Sequence, residues 1–313
     1  MFRLNNADIY AEQRGIIQRS QNITMDLTSK KQIKDLLKEY RTYASKRLGQ
    51  NFLIDKTVLR KIIEAADLKP NDMVLEIGPG IGTLTRELAK TARKVIAIEK
   101  DPKMIDILKD TTKDFQNVEI IKEDILKMSP ESYKLKAKSY KVVANLPFYL
   151  TAPVIRQFLE TKNPPQEMNL VVQKEVAQRI CAKPPDMSIL AVSVQFYAKP
   201  EIISYISKKS FWPSPKVDSA IIKIIPYSHG RIRIPRAEGE GCAFRMLFFR
   251  IVKAGFAHPR KQILNNLSNE LKYNKGVVKS WLLKNNIQPI QRAETLSVKD
   301  WISLTKTLDK YEH

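Results

Sequence analysis

Met73-Val74-Leu75-Glu76-Ile77-Gly78-Pro79-Gly80-Ile81-Gly82 decides how this chain is read. Residues 73–77 form a short apolar run interrupted by one carboxylate, the pattern of a strand buried in a sheet. Three alternating glycines follow at once, and residues 83–89 start a helix. Glycine permits a tight backbone turn and leaves no β-carbon in the way of a ligand. The unit is strand, glycine turn, helix.

Outward from this unit the same alternation repeats. Residues 94–98 read as a second buried strand ending in Glu99, and Asp101-Pro102 gives the next helix an oxygen cap and a proline in its first turn. Residues 118–121 form a third strand ending in Glu123-Asp124, residues 141–144 a fourth that delivers Asn145, and residues 169–172 a fifth. Upstream, 57–66 is helical in period; downstream, Thr151 caps a helix carrying Val154, Ile155 and Phe158. Strands alternating with helices at this spacing imply an α/β fold with a parallel sheet covered on both faces. After Ile189 the pattern changes. Residues 191–197 and 217–225 read as two longer strands, joined through a loop that runs from Lys208 to Lys216. Residues 231–241, rich in glycine, proline and charge, read as a linker, and 242–313 are helical in period. The expected organisation is an extension at 1–29, a main domain at 30–227 and a helical domain at 228–313.

Charge narrows the partner. Lys and Arg number 54 against 33 Asp and Glu, a net charge of +21, which points to a polyanion: nucleic acid or an anionic membrane surface. No apolar run approaches the ~20 residues that cross a bilayer, so no membrane span is expected. Hydrophobic residues make up 43% of the chain, enough to build a packed core. Cys181 and Cys242 stand far apart with no third cysteine, which argues against a disulfide framework and fits a reducing compartment. The three histidines offer no metal cluster. Residues 1–29 lack the charged-then-apolar order of a secretory signal, so cytoplasm is the expected location and monomer the expected state. Residues 30–47 read as a helix with Ile33, Leu36, Leu37 and Tyr40 on one face and seven Lys or Arg, a basic arm beside a nucleic-acid site.

Each strand end carries a group suited to one ligand. The glycines at 78, 80 and 82 depart from the G-x-G-x-x-G spacing whose helix amides bind pyrophosphate, and suit a phosphate-free nucleoside better. Glu99, about 20 residues on, is placed to accept from ribose hydroxyls. Asp124 can accept from an adenine amine, with Ile125 packed on the ring and a methionine portion over Gly78, and Gly80 is a further cofactor-binding position. Together these suit S-adenosylmethionine, whose sulfonium also accounts for acids around a pocket in so basic a protein.

The fourth strand ends in Asn145-Leu146-Pro147-Phe148. An exocyclic base amine is a poor nucleophile, because its lone pair is delocalised into the ring. The Asn145 side-chain oxygen and a backbone carbonyl near Pro147 could accept its two N–H hydrogens and aim the lone pair at a methyl donor. Phe148 offers a face for a flipped-out base. The expected chemistry is methyl transfer to such an amine.

With these residues in view, the chain resembles the ribosomal RNA adenine dimethyltransferases. The resemblance rests on Gly49-Gln50-Asn51-Phe52-Leu53, Glu76-Ile77-Gly78-Pro79-Gly80, Glu99, Asp124, Asn145-Leu146-Pro147-Phe148, the run from Phe211 to Ala220, and Phe249 to Leu267. It implies a class I, Rossmann-like, S-adenosylmethionine-dependent methyltransferase fold: a mostly parallel seven-stranded sheet with a small all-helical C-terminal domain. It further implies that Asn51, Leu53, Gly78, Glu99, Asp124 and Asn145 meet the cofactor, that Asn145 to Phe148 receive the adenine, and that Phe211 supports the base from its other side. The implied product is a pair of adjacent N6,N6-dimethyladenosines near the 3′ end of small-subunit rRNA. Leu146 and the segment Val252 to Phe256 resemble the small-subunit branch. Two positions depart from the pattern: Phe148 stands where tyrosine is usual, and His258-Pro259-Arg260-Lys261 replaces Gln-Arg-Arg-Lys.

For the RNA, Lys208, Lys209 and Lys216 surround Phe211 and Trp212, while Arg250, Lys253, Arg260 and Lys261 fall in a stretch that carries a single acid, Glu270. Cations for phosphates and rings for unstacked bases suit single-stranded RNA. Two other readings compete: a large-subunit rRNA adenine methylase, and a non-catalytic ribosome-assembly or transcription accessory factor on the same fold.

Overall fold

The computed structural model describes residues 25–45, 47–128, 139–227 and 240–308. Its main sheet has seven strands: β2 (Met73–Ile77), β3 (Lys94–Glu99), β4 (Val118–Lys122), β5 (Lys141–Asn145), β6 (Glu167–Gln173), β7 (Ala198–Ile206) and β9 (Ser219–Pro226). A separate two-stranded ribbon pairs β1 (Phe52–Leu53) with β8 (Phe211–Trp212). The order across the main sheet is β4-β3-β2-β5-β6-β9-β7, parallel from β4 to β6 and antiparallel on both sides of β9.

Alternate side chains of the parallel strands go to opposite faces, and both faces are covered. Val74, Val95, Val143 and Val171 pack with Leu59 and Ile62 of α2 (Lys56–Ala66) and Leu88 of α3 (Thr83–Ala89). Leu75, Ile96, Val142 and Leu170 pack with Val154 and Phe158 of α5 (Thr151–Glu160). This double burial is why these strands are mostly apolar on both faces rather than alternating. Each buried aliphatic side chain is worth about 1.5–3 kcal/mol.

From β2 the chain steps outward to β3 and β4, then crosses back to β5 on the other side of β2. Connections that leave neighbouring strands in opposite directions open a crevice at their carboxyl ends. The glycine loop follows β2 and Asn145 ends β5, so both fall at that crevice.

The five strands β2 to β6 lie within two residues of the expected positions. Residues 191–197 do not form a strand: they belong to α7 (Ile189–Tyr197). Ser188 caps this helix by accepting from the Ala191 N–H at 3.2 Å, and Ala191, Val192, Val194, Phe196 and Tyr197 are all buried. A helix that is apolar nearly all round shows no helical period, and so reads like a buried strand. The true strand begins at Ala198, and the second runs over 219–226 rather than 217–225. The basic helix is also shorter than expected. α1 spans Lys30–Glu39, and Arg41 beyond it takes a left-handed conformation, φ +49°, while the Thr42 N–H returns to the Leu37 carbonyl. Thr151 is the first residue of its helix rather than the cap, because a 3-10 turn at Phe148–Leu150 leads into it.

Residues 231–239 of the expected linker and most of the extension lie outside the described residues; 240–241, expected as linker, already belong to a helix, and 25–29 are docked. Leu27 is buried, and its carbonyl accepts from the Thr83 hydroxyl. Ile33, Leu36 and Leu37 of α1 pack with Phe52 and Ile81, which sets α1 against the glycine loop. At the other end, α8 (Glu240–Gly255), α9 (Ile263–Leu271), α10 (Lys275–Lys284) and α11 (Val298–Leu308) are helical as expected. Phe248 of α8 stacks on Phe196 of α7 at 4.1 Å, so the helical region shares one apolar cluster with the sheet.

Candidate active site

One cleft opens at the carboxyl ends of β2, β3 and β5, with about 1140 Å³ of empty space, part of it open to solvent. Asn51, Leu53, Gly78, Gly80, Glu99, Asp124, Ile125, Asn145, Leu146, Pro147, Phe148 and Phe211 all line it. Strand ends widely separated in sequence converge because the sheet order places β2 beside both β3 and β5. Gly78 holds φ +68°, and a β-carbon there would lie 3.8 Å from Pro147 Cδ, so the glycine loop and the Asn145 loop approach directly.

The Asn145 side chain is oriented by its surroundings. Its Nδ2 donates to the Asn51 carbonyl at 3.1 Å. A carbonyl can only accept, so this bond fixes which end of the amide is nitrogen. No described protein group donates to Oδ1, which is left as the acceptor available to a ligand. The Asn51 Nδ2 donates in turn to the Gly49 carbonyl at 3.1 Å. The Pro147 carbonyl accepts the Leu150 N–H at 2.9 Å and keeps one lone pair. Phe148 is half-buried at the cleft, with Tyr149 exposed beside it.

The acids differ in how far they are committed. Glu99 accepts three backbone N–H groups: Lys100 at 2.8 Å and Asp101 at 2.9 Å on one oxygen, Gly80 at 3.1 Å on the other. Of about four lone-pair positions one remains, so a single ribose hydroxyl is what Glu99 can accept. Burial raises its pKa against those three bonds. Asp124 receives the Leu126 N–H at 3.1 Å and Lys100 Nζ at 2.6 Å; the Lys100 ammonium holds its carboxyl below the usual range. An adenine amine at Asp124 therefore competes with Lys100. Glu76, quoted in the glycine stretch but given no role there, also lines the cleft. It is 1% exposed, its Oε2 has no hydrogen-bond partner among the described residues, and burial pushes its carboxyl up to about 8, with the Glu99 charge adding and the neighbouring Thr85 hydroxyl opposing. A carboxylate inside an apolar strand was the signal for it.

One wall of the cleft comes from the ribbon. Phe52 faces Trp212 and Leu53 faces Phe211 across β1 and β8, and the Ile54 N–H donates to the Ser210 carbonyl at 2.9 Å. Phe211 lines the cleft, yet at 4% exposure it is also packed with Leu53 and Val58 in the core.

The expected phosphate-binding cations lie outside this lining. Lys208 and Lys216 border a separate shallow depression with Lys174, and Lys209 is exposed nearby. Arg250 and Lys253 are exposed on α8, and Arg260 and Lys261 are exposed in the turn before α9 rather than on that helix. Neither cysteine lines the cleft, and burial pushes the Cys181 thiol up to about 11, which keeps it protonated.

Residues 41–310 match the family model for ribosomal RNA adenine dimethylase. The chain belongs to that family. Among curated relatives of this dimethylase, the ribosomal RNA small subunit methyltransferase A of Dehalococcoides mccartyi (strain CBDB1) is 46% identical over 273 residues, 87% of this chain and 91% of the relative. The protein of the same name from Alkaliphilus metalliredigens (strain QYMF) is 41% identical over 286 residues, 90% of this chain and 97% of the relative. Among solved structures, the 23S rRNA methyltransferase ErmE superposes with a TM-score of 0.66 at 28% identity, over 83% of this chain and 100% of that one. A dimethyladenosine transferase from Plasmodium falciparum gives 0.65 at 27%, over 82% and 97%. The dimethylase fold is thus the class I methyltransferase fold, with the mixed seven-stranded sheet described above. Among the described residues no helix is long and apolar enough to cross a membrane.

Proposed function

We propose that this chain transfers methyl groups from S-adenosylmethionine to N6 of two adjacent adenosines near the 3′ end of small-subunit rRNA, leaving N6,N6-dimethyladenosine at both. Family membership gives the reaction class: the chain is an rRNA adenine dimethyltransferase. The small subunit is favoured because the curated relatives at 38–46% identity carry that name.

The observation that carries the reading is the Asn145 amide, turned so that Oδ1 is free and Nδ2 is spent on Asn51. Oδ1 and the remaining lone pair of the Pro147 carbonyl would accept the two N–H hydrogens of the adenine amine. Holding both concentrates the nitrogen lone pair on the side facing the donor. Leu146, 2% exposed, anchors the loop in the core, and Phe148 stacks the base. Phe211 closes the opposite wall.

The residues present also fit the donor. The orphaned Glu76 carboxyl suits a cationic ligand, Glu99 a ribose hydroxyl, Asp124 an adenine amine and Ile125 its ring, with Asn51, Leu53, Gly78 and Gly80 around the methionine portion. When bound, S-adenosylmethionine supplies a methyl group already activated on a sulfonium. Lys208, Lys209, Lys216, Arg250, Lys253, Arg260 and Lys261 hold RNA phosphates, with 228–313 acting as the RNA-binding domain. The proposed setting is the cytoplasm and the proposed state a monomer.

The test is labelled S-adenosylmethionine with undermethylated small subunits and, separately, large subunits. Wild type should label the small-subunit rRNA, and Asn145→Ala should transfer at least about 100-fold more slowly. Equal label from both proteins would remove Asn145 from the mechanism. Label on the large subunit alone would establish the competing methylase reading, and label on neither would favour an assembly factor.

A further inference from the structure

Trp212 faces two places at once. Its ring stacks on Phe52 at 6.4 Å and 26°, and Phe52 lines the methyl-transfer cleft. Trp212 also borders a second, open depression against α1, with about 650 Å³ of empty space. Lys34, Lys38, Arg41 and Tyr43 line it, and no carboxylate does. Lys34 and Lys38 are one helical turn apart and share a face of α1. The Lys34 ammonium lies 5.7 Å from the Trp212 ring centroid. Tyr43 is 80% exposed, a large ring held out in water. Arg41 holds the left-handed conformation that glycine takes most easily at a helix end, and this turn sends the chain on to Tyr43.

Three cations with no carboxylate in the lining call for a polyanion, and the exposed Tyr43 ring beside the half-buried Trp212 calls for something flat to stack there. Single-stranded RNA supplies both in alternation, phosphate then base. Because Phe52 of the cleft wall and Trp212 of the depression are stacked neighbours, 6.4 Å between centroids, RNA seated in the cleft brings the next nucleotide of the same strand within reach.

We propose that the depression between α1 and Trp212 is a subsite for the nucleotide next to the target adenosine, its base on Tyr43 and Trp212 and its phosphates on Lys34, Lys38 and Arg41. This rests on the RNA reading above. On that reading the occupant is the other adenosine of the pair, held while its neighbour reacts.

The experiment uses full-length protein and a labelled RNA hairpin whose loop carries two adjacent adenosines, followed by fluorescence anisotropy and by methyl transfer. Trp212 is left intact because it props Phe52. Tyr43→Ala should weaken hairpin binding and raise KM for the RNA by about tenfold, with affinity for S-adenosylmethionine unchanged. An abasic residue beside the target adenosine should cost wild type the same factor and cost Tyr43→Ala nothing further. Lys34→Gln, Lys38→Gln and Arg41→Gln together should flatten the slope of log affinity against log salt by about 2, at roughly 0.7 per lost single-strand contact. The subsite is overturned if these proteins bind the hairpin as wild type does. It is also overturned if they lose the same affinity for a loopless duplex or an acidic peptide, which would make the surface a general polyanion patch. If wild type binds the hairpin but methylates no RNA, while Tyr43→Ala still loses binding, the subsite stands and the assigned reaction is what fails.

Discussion

Glu76→Gln keeps the shape of a fully buried side chain and removes its ability to ionise. The Glu76 carboxyl moves from 4.5 in the unfolded chain to about 8 in the fold, chiefly because burial disfavours its charge. Below pH 4.5 both states carry the proton and stability does not depend on pH through this group. Between 4.5 and about 8 the unfolded chain has lost the proton and the folded chain retains it, so raising the pH favours unfolding. At 1.36 kcal/mol per pH unit, the loss reaches about 5 kcal/mol by pH 8 and is constant above it. That is a large part of the 5–15 kcal/mol by which a typical domain is stable. The assay is urea denaturation without S-adenosylmethionine at intervals from pH 5 to pH 8.5. The stability difference between Glu76→Gln and wild type should grow in favour of the variant by ~1.4 kcal/mol per pH unit and level off near pH 8. A cation placed against Glu76 would ionise it, so affinity of wild type for S-adenosylmethionine should rise over the same range and that of Glu76→Gln should not. Parallel denaturation curves for the two proteins would refute the reasoning, because they would mean Glu76 ionises in the fold as it does in water.

Lys141, 8% exposed at the opposite end of β5 from Asn145, donates to the Ala66 and Asp67 carbonyls at 3.0 and 2.8 Å and pairs with Asp72 and Glu167 at 3.2 and 3.5 Å. Lys141→Met strands those groups and should cost about 3 kcal/mol, the low end of the range because Glu167 keeps Lys223; equilibrium denaturation measures it, and S-adenosylmethionine binding at saturation should survive. Gly49 sits at φ +65°, with a would-be β-carbon 3.2 Å from Pro147 Cβ. Gly49→Ala should cost about 1–2 kcal/mol in backbone strain and push the Pro147 loop, lowering methyl transfer more than donor binding in a single-turnover assay. Replacing Arg250, Lys253, Arg260 and Lys261 together with Gln should flatten the salt dependence of rRNA binding by about 3 on the log-log slope, and a slope equal to that of wild type would remove this face from the RNA interface.

Much of the site was legible because its groups sit at the ends of strands that must be apolar. In β3 and β5 the polar residue that closes an apolar run marks the edge of the sheet, and in β2 the glycine turn does, so Gly78, Glu99 and Asn145 could be placed at one rim from the sequence. The same logic misplaced 191–197. A helix wedged between the sheet and α8 buries nearly every side, and burial on all sides erases the period that distinguishes helix from strand. The end of α1 was missed because Arg41 adopts a conformation that sequence patterns reserve for glycine or asparagine. The commitments of Glu99 and Asp124 were also invisible: backbone amides and Lys100 claim them only once the loops are folded. Trp212 was grouped with Phe211 by adjacency, whereas β1 and β8 turn the two rings to different sites, one lining the cleft and the other the surface of α1.

The distribution of charge has a consequence for turnover. The chain carries +21 overall, yet the ionisable groups of the cleft are Glu76, Glu99, Glu123 and Asp124 against Lys100 and the phenol of Tyr149. A polyanion is therefore drawn to the rim and a cation to the interior, and the two substrates are sorted before either makes a specific contact. S-adenosylmethionine enters as a sulfonium and leaves, once its methyl is transferred, as a neutral thioether. The contacts of Glu99 with ribose and of Asp124 with adenine would be common to donor and product, so only an acid that reaches the sulfonium can tell the two apart by charge. On the proposed reading that acid is Glu76, whose Oε2 has no hydrogen-bond partner among the described residues. Glu76→Gln should then bring the affinities for S-adenosylmethionine and S-adenosylhomocysteine closer together at pH 8, by about tenfold if 1.4 kcal/mol of the buried charge is relieved by the cation. Calorimetric titration with both ligands measures it, and an unchanged ratio would place the sulfonium out of reach of Glu76.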